Sequence, residues 1–447
     1  MFIYKFMAGV VETLTGGGEE DVNAYDPHAH RMIEKPTSYS DTMIHLLKAS
    51  IGAGILCMPD AVRRLGLING IIAIPAIAFF ATYCIQLLII AQYKICQREK
   101  RGYMAYPKSM LFALQSGPPC LRWSAKLTYY FVDVVLVTWQ LGICVIYFVF
   151  VAENLKQVCD YYNLFEASVR IHLCLILLPL ILVNLIKDLK MMTPMSTISN
   201  IVTVFGLILV FFYLVEEDVS VSDDTLKLKR LEDIPVFIGI TLFALEAVGV
   251  ILALEYNMDC PKKFTGICGL FNLGMIAIMT LYTLVGVFGY LKYGNDLKAS
   301  ITLNLPSDQK KAQVAKVLFG IAIFLSFPLQ NFVAYAITWR KLKKKIPQGQ
   351  VYCVDYILRV VLVLLPFAVA VAVPRLGPFI SLFGAMCLSL LAIVFPGLID
   401  VCVWYPTTYG PCKYKLLRDI IIILLGMFAL ISGCYTSIIE IIQAQED

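Results

Sequence analysis

The sequence predicts an all-α polytopic membrane protein with eleven transmembrane helices: two inverted five-helix repeats and one additional helix. Three observations carry this. Only 15% of the 447 residues are charged and 59% are hydrophobic, whereas about a quarter of a soluble domain is charged. The apolar runs reach or approach the roughly twenty residues that cross the hydrocarbon core as a helix, about twice what a barrel strand needs. The first and sixth runs are each interrupted near the middle, five spans apart, and broken helices at matching places mark an inverted repeat.

Residues 1–38 are polar and contain Gly16-Gly17-Gly18-Glu19-Glu20-Asp21. This composition predicts a disordered tail, and the short first apolar patch followed by acids does not read as a cleavable signal peptide. The first span, 42–59, carries His45 and Lys48 and then Gly52-Ala53-Gly54. Two glycines in three residues cost roughly 1 kcal/mol each against alanine in a helix interior. Two readings are open for them: a helix broken toward a cavity, or small residues that let helices pack closely. Ten further runs lie near 68–95, 126–157, 169–186, 192–215, 234–258, 266–291, 312–338, 354–373, 376–405 and 416–442. The repeats are then 39–215 and 234–405, with 416–442 as the added helix. Pro328 and Pro366 read as kinks. Residues 103–123 are amphipathic and read as a short cytosolic-face helix or a plain loop.

Loop charges set the orientation. Arg98, Lys100, Arg101, Lys108 and Arg122 follow the second span, Arg340, Lys341 and Lys343 to Lys345 the eighth, and Lys413, Lys415 and Arg418 the tenth. All three loops fall on one side, which the positive-inside rule makes the cytosol. The acidic loop 216–233 lies opposite, while Lys292, Lys298, Lys310 and Lys311 run against the trend. The N-terminus is expected in the cytosol and the C-terminus outside or in a lumen. The net charge of +5 bears on this orientation rather than on nucleic acid. Most of the fourteen cysteines sit in apolar runs as small hydrophobes, without metal-site spacing.

A charge at mid-bilayer costs about 2.5–3.5 kcal/mol, so ionisable groups inside spans carry the information. Glu246 lies within the sixth run, between Gly239 and Gly249. The start of an outer half-helix near Gly54 and Ile55 would offer N–H groups and a positive dipole end to a carboxylate. Unwound carbonyls at Phe243 and Ala244 would receive an ammonium. A zwitterion satisfies both, hence an amino acid. For proton coupling, His45 qualifies by the imidazole's ordinary range and Glu246 if burial raises its carboxyl. The structural alternatives are an interfacial histidine and a carboxylate pairing freed backbone donors. Lys48, Asp133 and Glu153 read as interfacial or structural. Gln140, Tyr147 and Ser326 are polar positions that line the same cavity or bond helix to helix. No catalytic triad, zinc set or phosphate loop appears, so no enzyme is expected.

His45-Leu46-Leu47-Lys48 with Ile51-Gly52-Ala53-Gly54-Ile55-Leu56 and Pro59 resembles the first helix of the proton-coupled amino acid transporters, a branch of the amino acid/auxin permease family. Gln140-Leu141-Gly142 with Tyr147 to Asn154, Ile301 to Pro306, and Phe327-Pro328-Leu329-Gln330 agree, so the resemblance covers nearly the whole chain. It implies a LeuT-type five-plus-five fold and symport of small neutral amino acids, with protons as coupling ion and no cofactor. Substrate would sit at Ser50, Ile51, Gly52, Ala53, Gly54 and Ile55 and at Phe243, Ala244 and Glu246, with His45 at the family's proton-coupling position. Members often have an exofacial disulfide after the Asn-Leu-Pro block. Here Ser307 and Asp308 follow Pro306, so Cys159 is expected unpaired, and the outer loops hold no glycosylation sequon. A sodium-coupled carrier on the same fold remains open. So does an amino-acid sensor that signals through its tail to cytosolic growth-control partners. The plasma membrane and a late endosomal or lysosomal membrane are equally open.

Overall fold

The structure, a computed structural model, describes residues 25–33, 35–186, 189–215, 231–245, 248–406, 409–410 and 413–446. The first span is two helices, α1 (Tyr39–Ser50) and α2 (Met58–Leu65), joined through a 3₁₀ turn at Ala53–Cys57 and bent by 46°. There follow α3 (Leu67–Arg98), α4 (Tyr106–Ser116), α5 (Ala125–Tyr161), α6 (Val169–Asn184) and α7 (Leu189–Val215). The sixth span is again two pieces, α8 (Ile234–Ala244) and α9 (Val248–Asn257). Then come α10 (Leu270–Tyr293), α11 (Lys310–Leu342), α12 (Val351–Ala372), α13 (Leu376–Val403) and α14 (Tyr414–Glu446).

Among the described residues eight helices are long and apolar enough to cross a bilayer, and the bent pair α1/α2 makes nine. The expected eleven is reached only by adding two shorter apolar helices, α6 with 16 residues and α8 with 11. Among the described residues the chain is all-helical and polytopic.

The helices form two packed groups. The broken helices α1/α2 and α8/α9 pack with α3 and α10, while α5 runs through the middle against α6, α11 and α12. From Trp139 to Ala152, α5 is buried almost continuously. Without water between spans, polar side chains bind helix to helix. Asn331 donates to Asn184 at 2.8 Å, joining α11 to α6, and Ser199 reaches the Ala322 carbonyl and Ser326 Oγ, both at 2.7 Å, joining α7 to α11. Pro328 and Pro366 sit inside continuous helices. Gly384–Val394 in α13 is π-helical, and Tyr106 of α4 donates to the Leu391 carbonyl there at 2.6 Å. Residues 103–123 are therefore not a plain loop: α4 buries Tyr106, Met110 and Leu114 on one face.

Side-chain contacts put the three basic loops together. Arg340 and Lys341 reach Asp133 at 3.3 and 2.6 Å, and Arg98 donates to the Val403 carbonyl at 2.6 Å. Asp133 is thus an interfacial anchor for the basic end of α11. The segment before α1 also docks on this side. The expected disordered tail must therefore be shortened, because 25–33 and 35–38 have defined structure against α3 and α9. Its few polar residues find backbone and side-chain partners that composition does not reveal. Cys159 is buried, and it and the other twelve described cysteines are unpaired.

Helix α8 crosses α13 closely. A Cβ at Gly239 would fall on the Ser381 carbonyl, and one at Gly384 on the Gly239 carbonyl. Overpacking of this kind costs about 1–3 kcal/mol even against movable side chains, and here the obstacle is backbone. Gly239→Val is expected to lower the melting temperature of the detergent-purified protein strongly. Gly320→Ala, with nothing within 4 Å of the new methyl, should leave it unchanged.

Candidate functional site

The two interruptions meet. After Ser50, α1 ends with the Ile51 N–H on the Leu47 carbonyl at 2.8 Å, and Gly52 takes an extended backbone (φ −132°, ψ −151°). The next turn starts at Ala53 with no side-chain cap, so its first N–H groups have no acceptor within the turn. Across from it α8 ends at Ala244, where the Leu245 N–H closes on the Leu242 carbonyl at 3.0 Å. Gly54 faces Ala244 so closely that a Cβ on it would lie 2.6 Å from the Ala244 Cα. Space, rather than an unusual dihedral, is what glycine supplies there.

A third helix ties the breaks together. Tyr282 of α10, 1% exposed, brings its hydroxyl onto the Ser50 carbonyl and within 2.9 Å of the Ala244 carbonyl. A phenol has one proton, so it satisfies one of these oxygens at a time. The Ser50 hydroxyl, 2% exposed, has no partner. A buried orphan hydroxyl beside a shared carbonyl is an unusual expense in a folded protein, and both are ready to bond a polar guest. The helix ends add direction: a positive N-terminal end near Ala53 and a negative C-terminal end at Ala244. Such a pair of poles accommodates opposite charges on one small molecule.

Of the residues expected at the site, Ser50, Ile51, Gly52, Ala53, Gly54, Ile55, Phe243 and Ala244 are brought together here. Phe243 is fully buried and meets the Trp139 ring edge-on at 5.5 Å. Glu246, expected both to bind substrate and to couple protons, lies outside the described residues. His45 is exposed on α1, off the buried stripe of Thr42, Leu46 and Ser50, and is not gathered into the break. Gln140 is buried with its Oε1 unpartnered, and Tyr147 is buried on the same helix. Ser326 is engaged with Ser199 at 2.7 Å, the helix-to-helix alternative. Tyr282 was not foreseen: in Thr280-Leu281-Tyr282-Thr283 nothing distinguishes it from an ordinary aromatic in an apolar helix. Also unforeseen is the anchoring of α2, where buried Asp60 binds Arg63 and Arg64, and Arg64 reaches Glu440 of α14 at 2.5 Å.

An all-helical membrane protein with two interrupted helices apposed at their breaks has the architecture of the LeuT fold. Solved structures with this fold superpose over nearly the whole chain. For Mhp1, a nucleobase-cation-symport-1 family transporter, in a closed conformation, the TM-score is 0.55 at 12% identity, covering 96% of this chain and 95% of that one. For a Na+-coupled sialic acid symporter the TM-score is 0.52 at 11% identity, covering 98% and 96%. At such identities the likeness is one of fold.

The chain belongs to the transmembrane amino acid transporter protein family, whose pattern matches residues 35–439. It is 39% identical over 428 residues to the "Proton-coupled amino acid transporter-like protein pathetic" of Drosophila melanogaster, covering 94% of this chain and 89% of that one. It is 25% identical over 417 residues to the "Probable amino acid transporter skat-1" of Caenorhabditis elegans, covering 90% of each. These relatives are transporters, not enzymes.

Removing the Tyr282 hydroxyl takes a donor from the buried Ala244 carbonyl and leaves the Ser50 carbonyl with the Gly52 N–H at 3.1 Å, which costs about 1–3 kcal/mol per unsatisfied group. Tyr282→Phe is expected to lower thermal stability by that order and to weaken binding of any ligand held at the break. Melting curves with and without ligand check both.

Proposed function

We propose that the chain is a secondary active transporter that carries small neutral amino acids together with protons by alternating access. The observation that bears most on this reading is the clip formed by Tyr282 across Ser50 and Ala244. It leaves a carbonyl and an orphan hydroxyl beside an uncapped helix start, a set of partners suited to the ammonium and carboxylate of an amino acid. A fully buried Phe243 and the Gly54–Ala244 contact restrict the space nearby, which favours small side chains. The name of the Drosophila relative supports protons as the coupling ion.

In this reading the eleven crossings count α6 and the α8/α9 pair as spans, and 39–215 and 234–405 are the inverted repeats. Glu246, two residues beyond Ala244, is proposed as a proton and substrate group. His45 is proposed as a second proton carrier, about 7.5 Å along the α1 axis from Ser50. Gln140 is proposed to face the same cavity. The basic side, with the N-terminus, is assigned to the cytosol, and the C-terminus to the outside or lumen.

Purified protein in liposomes is expected to accumulate alanine, glycine or proline faster from an outer solution at pH 5.5 than at pH 7.5. Replacing sodium by choline should not change the rate. Gly54→Leu should abolish uptake, and His45→Ala should reduce it at least several-fold. Uptake indifferent to pH, or dependent on sodium, would refute proton coupling.

A further inference from the structure

We propose that the groove between α5 and α11 is a binding site for a single-chain fatty acid, whose carboxylate is held by Lys316. The groove encloses about 220 Å³ and is lined by Val151 and Leu155 of α5 and by Val317, Ile321 and Phe324 of α11. Its wall is open at Gly320, where an added methyl would meet nothing within 4 Å. Val317 and Ile321 are 41% and 45% exposed, so on a membrane-spanning helix this side of the groove faces lipid. An apolar space of this size takes hydrocarbon rather than water. It falls below the roughly 300 Å³ of ordinary small-molecule pockets, which suits one chain rather than two.

The lysine in its wall sets this groove apart from other lipid-facing surface. Lys316 is 0% exposed, and its Nζ has no hydrogen-bond partner. The charged group that acts on it is Lys298, of like sign. The carboxylates on the neighbouring stretch of α5 are engaged elsewhere: Asp160 pairs with Lys156 at 3.5 Å, and Glu153 lies in the field of Lys298. A cation within a span is expensive and marks a functional position whose partner has to be found. Two neutral acceptors stand close by in the fold. Asn154, which also lines the groove, spends its Nδ2 on the Phe150 carbonyl at 2.8 Å and leaves Oδ1 unpartnered. Gln313, one turn before Lys316, spends its Nε2 on the Ser307 carbonyl at 2.8 Å and leaves Oε1 unpartnered. An ammonium has three donors, so these oxygens can share it with a guest. They bring no negative charge, and an anion is the component that is missing.

Position along the helices selects the kind of anion. Lys316 lies six residues into α11, about 9 Å from its start, and Asn154 seven residues before the end of α5, about 10 Å from it. From there the groove runs inward past Gly320 to Phe324 and Val151. Its polar end is thus turned toward one membrane surface, opposite the basic end of α11 at Arg340 and Lys341, and its apolar end toward the middle. That is how an amphiphile lies in a leaflet. A phospholipid holds its phosphate at the headgroup level and carries two chains, whereas a compact carboxylate on one chain descends to the lysine. The flexible four-carbon stem of Lys316 allows the ammonium to turn toward it.

Photolabelling tests the site. The full-length protein in phosphatidylcholine nanodiscs is irradiated with a diazirine-bearing palmitic acid, and the labelled peptides are mapped by mass. Label is expected to concentrate on 151–158 and 317–324 and to be displaced by excess palmitate, but not by hexadecanol or phosphatidylglycerol. Lys316→Gln should reduce it at least fivefold, and Lys316→Arg should retain it. Gly320→Leu, which fills the groove without touching the lysine, should also remove it. Label spread evenly over the lipid-facing helices, or indifferent to both Lys316→Gln and Gly320→Leu, would overturn the site. Displacement by hexadecanol as effective as by palmitate would overturn the role of the ammonium, and displacement by phosphatidylglycerol alone would overturn the fatty acid as occupant. Should Lys316→Gln not fold, Gly320→Leu decides, and label retained there would overturn the proposal.

Discussion

A backbone that leaves its helix inside a bilayer has to find its hydrogen-bond partners within the protein. Most of this architecture can be understood from how that demand is met at Ser50 and Ala244. Local bonds close each helix end only in part. The two are pressed together at Gly54, and a phenol from a third helix is laid across both carbonyls. Any side chain at Gly54 would part them, and any change in α10 would move the phenol. The long scaffold around α5 and the close crossing of α8 on α13 serve to hold three separate helices to this arrangement.

The site is defined as much by what is left incomplete as by what is bonded. One proton is shared between two oxygens, a serine hydroxyl has nothing to bond, and a helix start has no cap. Elsewhere several buried charges are paired. Arg418 binds Asp400 and Asp419, Trp404 donates to Asp400, and Arg359 pairs with Asp355. The contrast separates a region built to stay fixed from one prepared for a guest.

Much of this was legible in the sequence because the membrane enforces it. Runs of some twenty apolar residues translate directly into helices, and glycines or charges within them mark where helices stop. The doubled glycine in the first span and the position of Glu246 in the sixth therefore located both interruptions. What was hidden depends on contacts between distant segments. Tyr282 matters only because α10 packs against the two breaks, and its flanking residues give no hint of that. The tail before α1 reads as polar and shapeless, yet Arg31 and His28 find partners more than two hundred residues away. Asp60, Arg63 and Arg64 are readable as a helical charge trio, but not their link to Glu440. For His45, spacing along α1 is evident from sequence while its exposure is a property of the fold.

The last helix carries a consequence that its place at the end of the chain conceals. Near one end of α14, Arg418 is sunk between Asp400, Asp419 and Tyr83; near the other, Glu440 holds Arg64 of α2. The segment is a strut riveted at both extremities rather than an appendage. A polypeptide ending before it would lose the Arg418 partner of Asp400 and the Glu440 partner of Arg64, leaving Asp400 with Trp404 and Arg64 with Asp60, so the final helix completes pairings that the earlier helices leave half made.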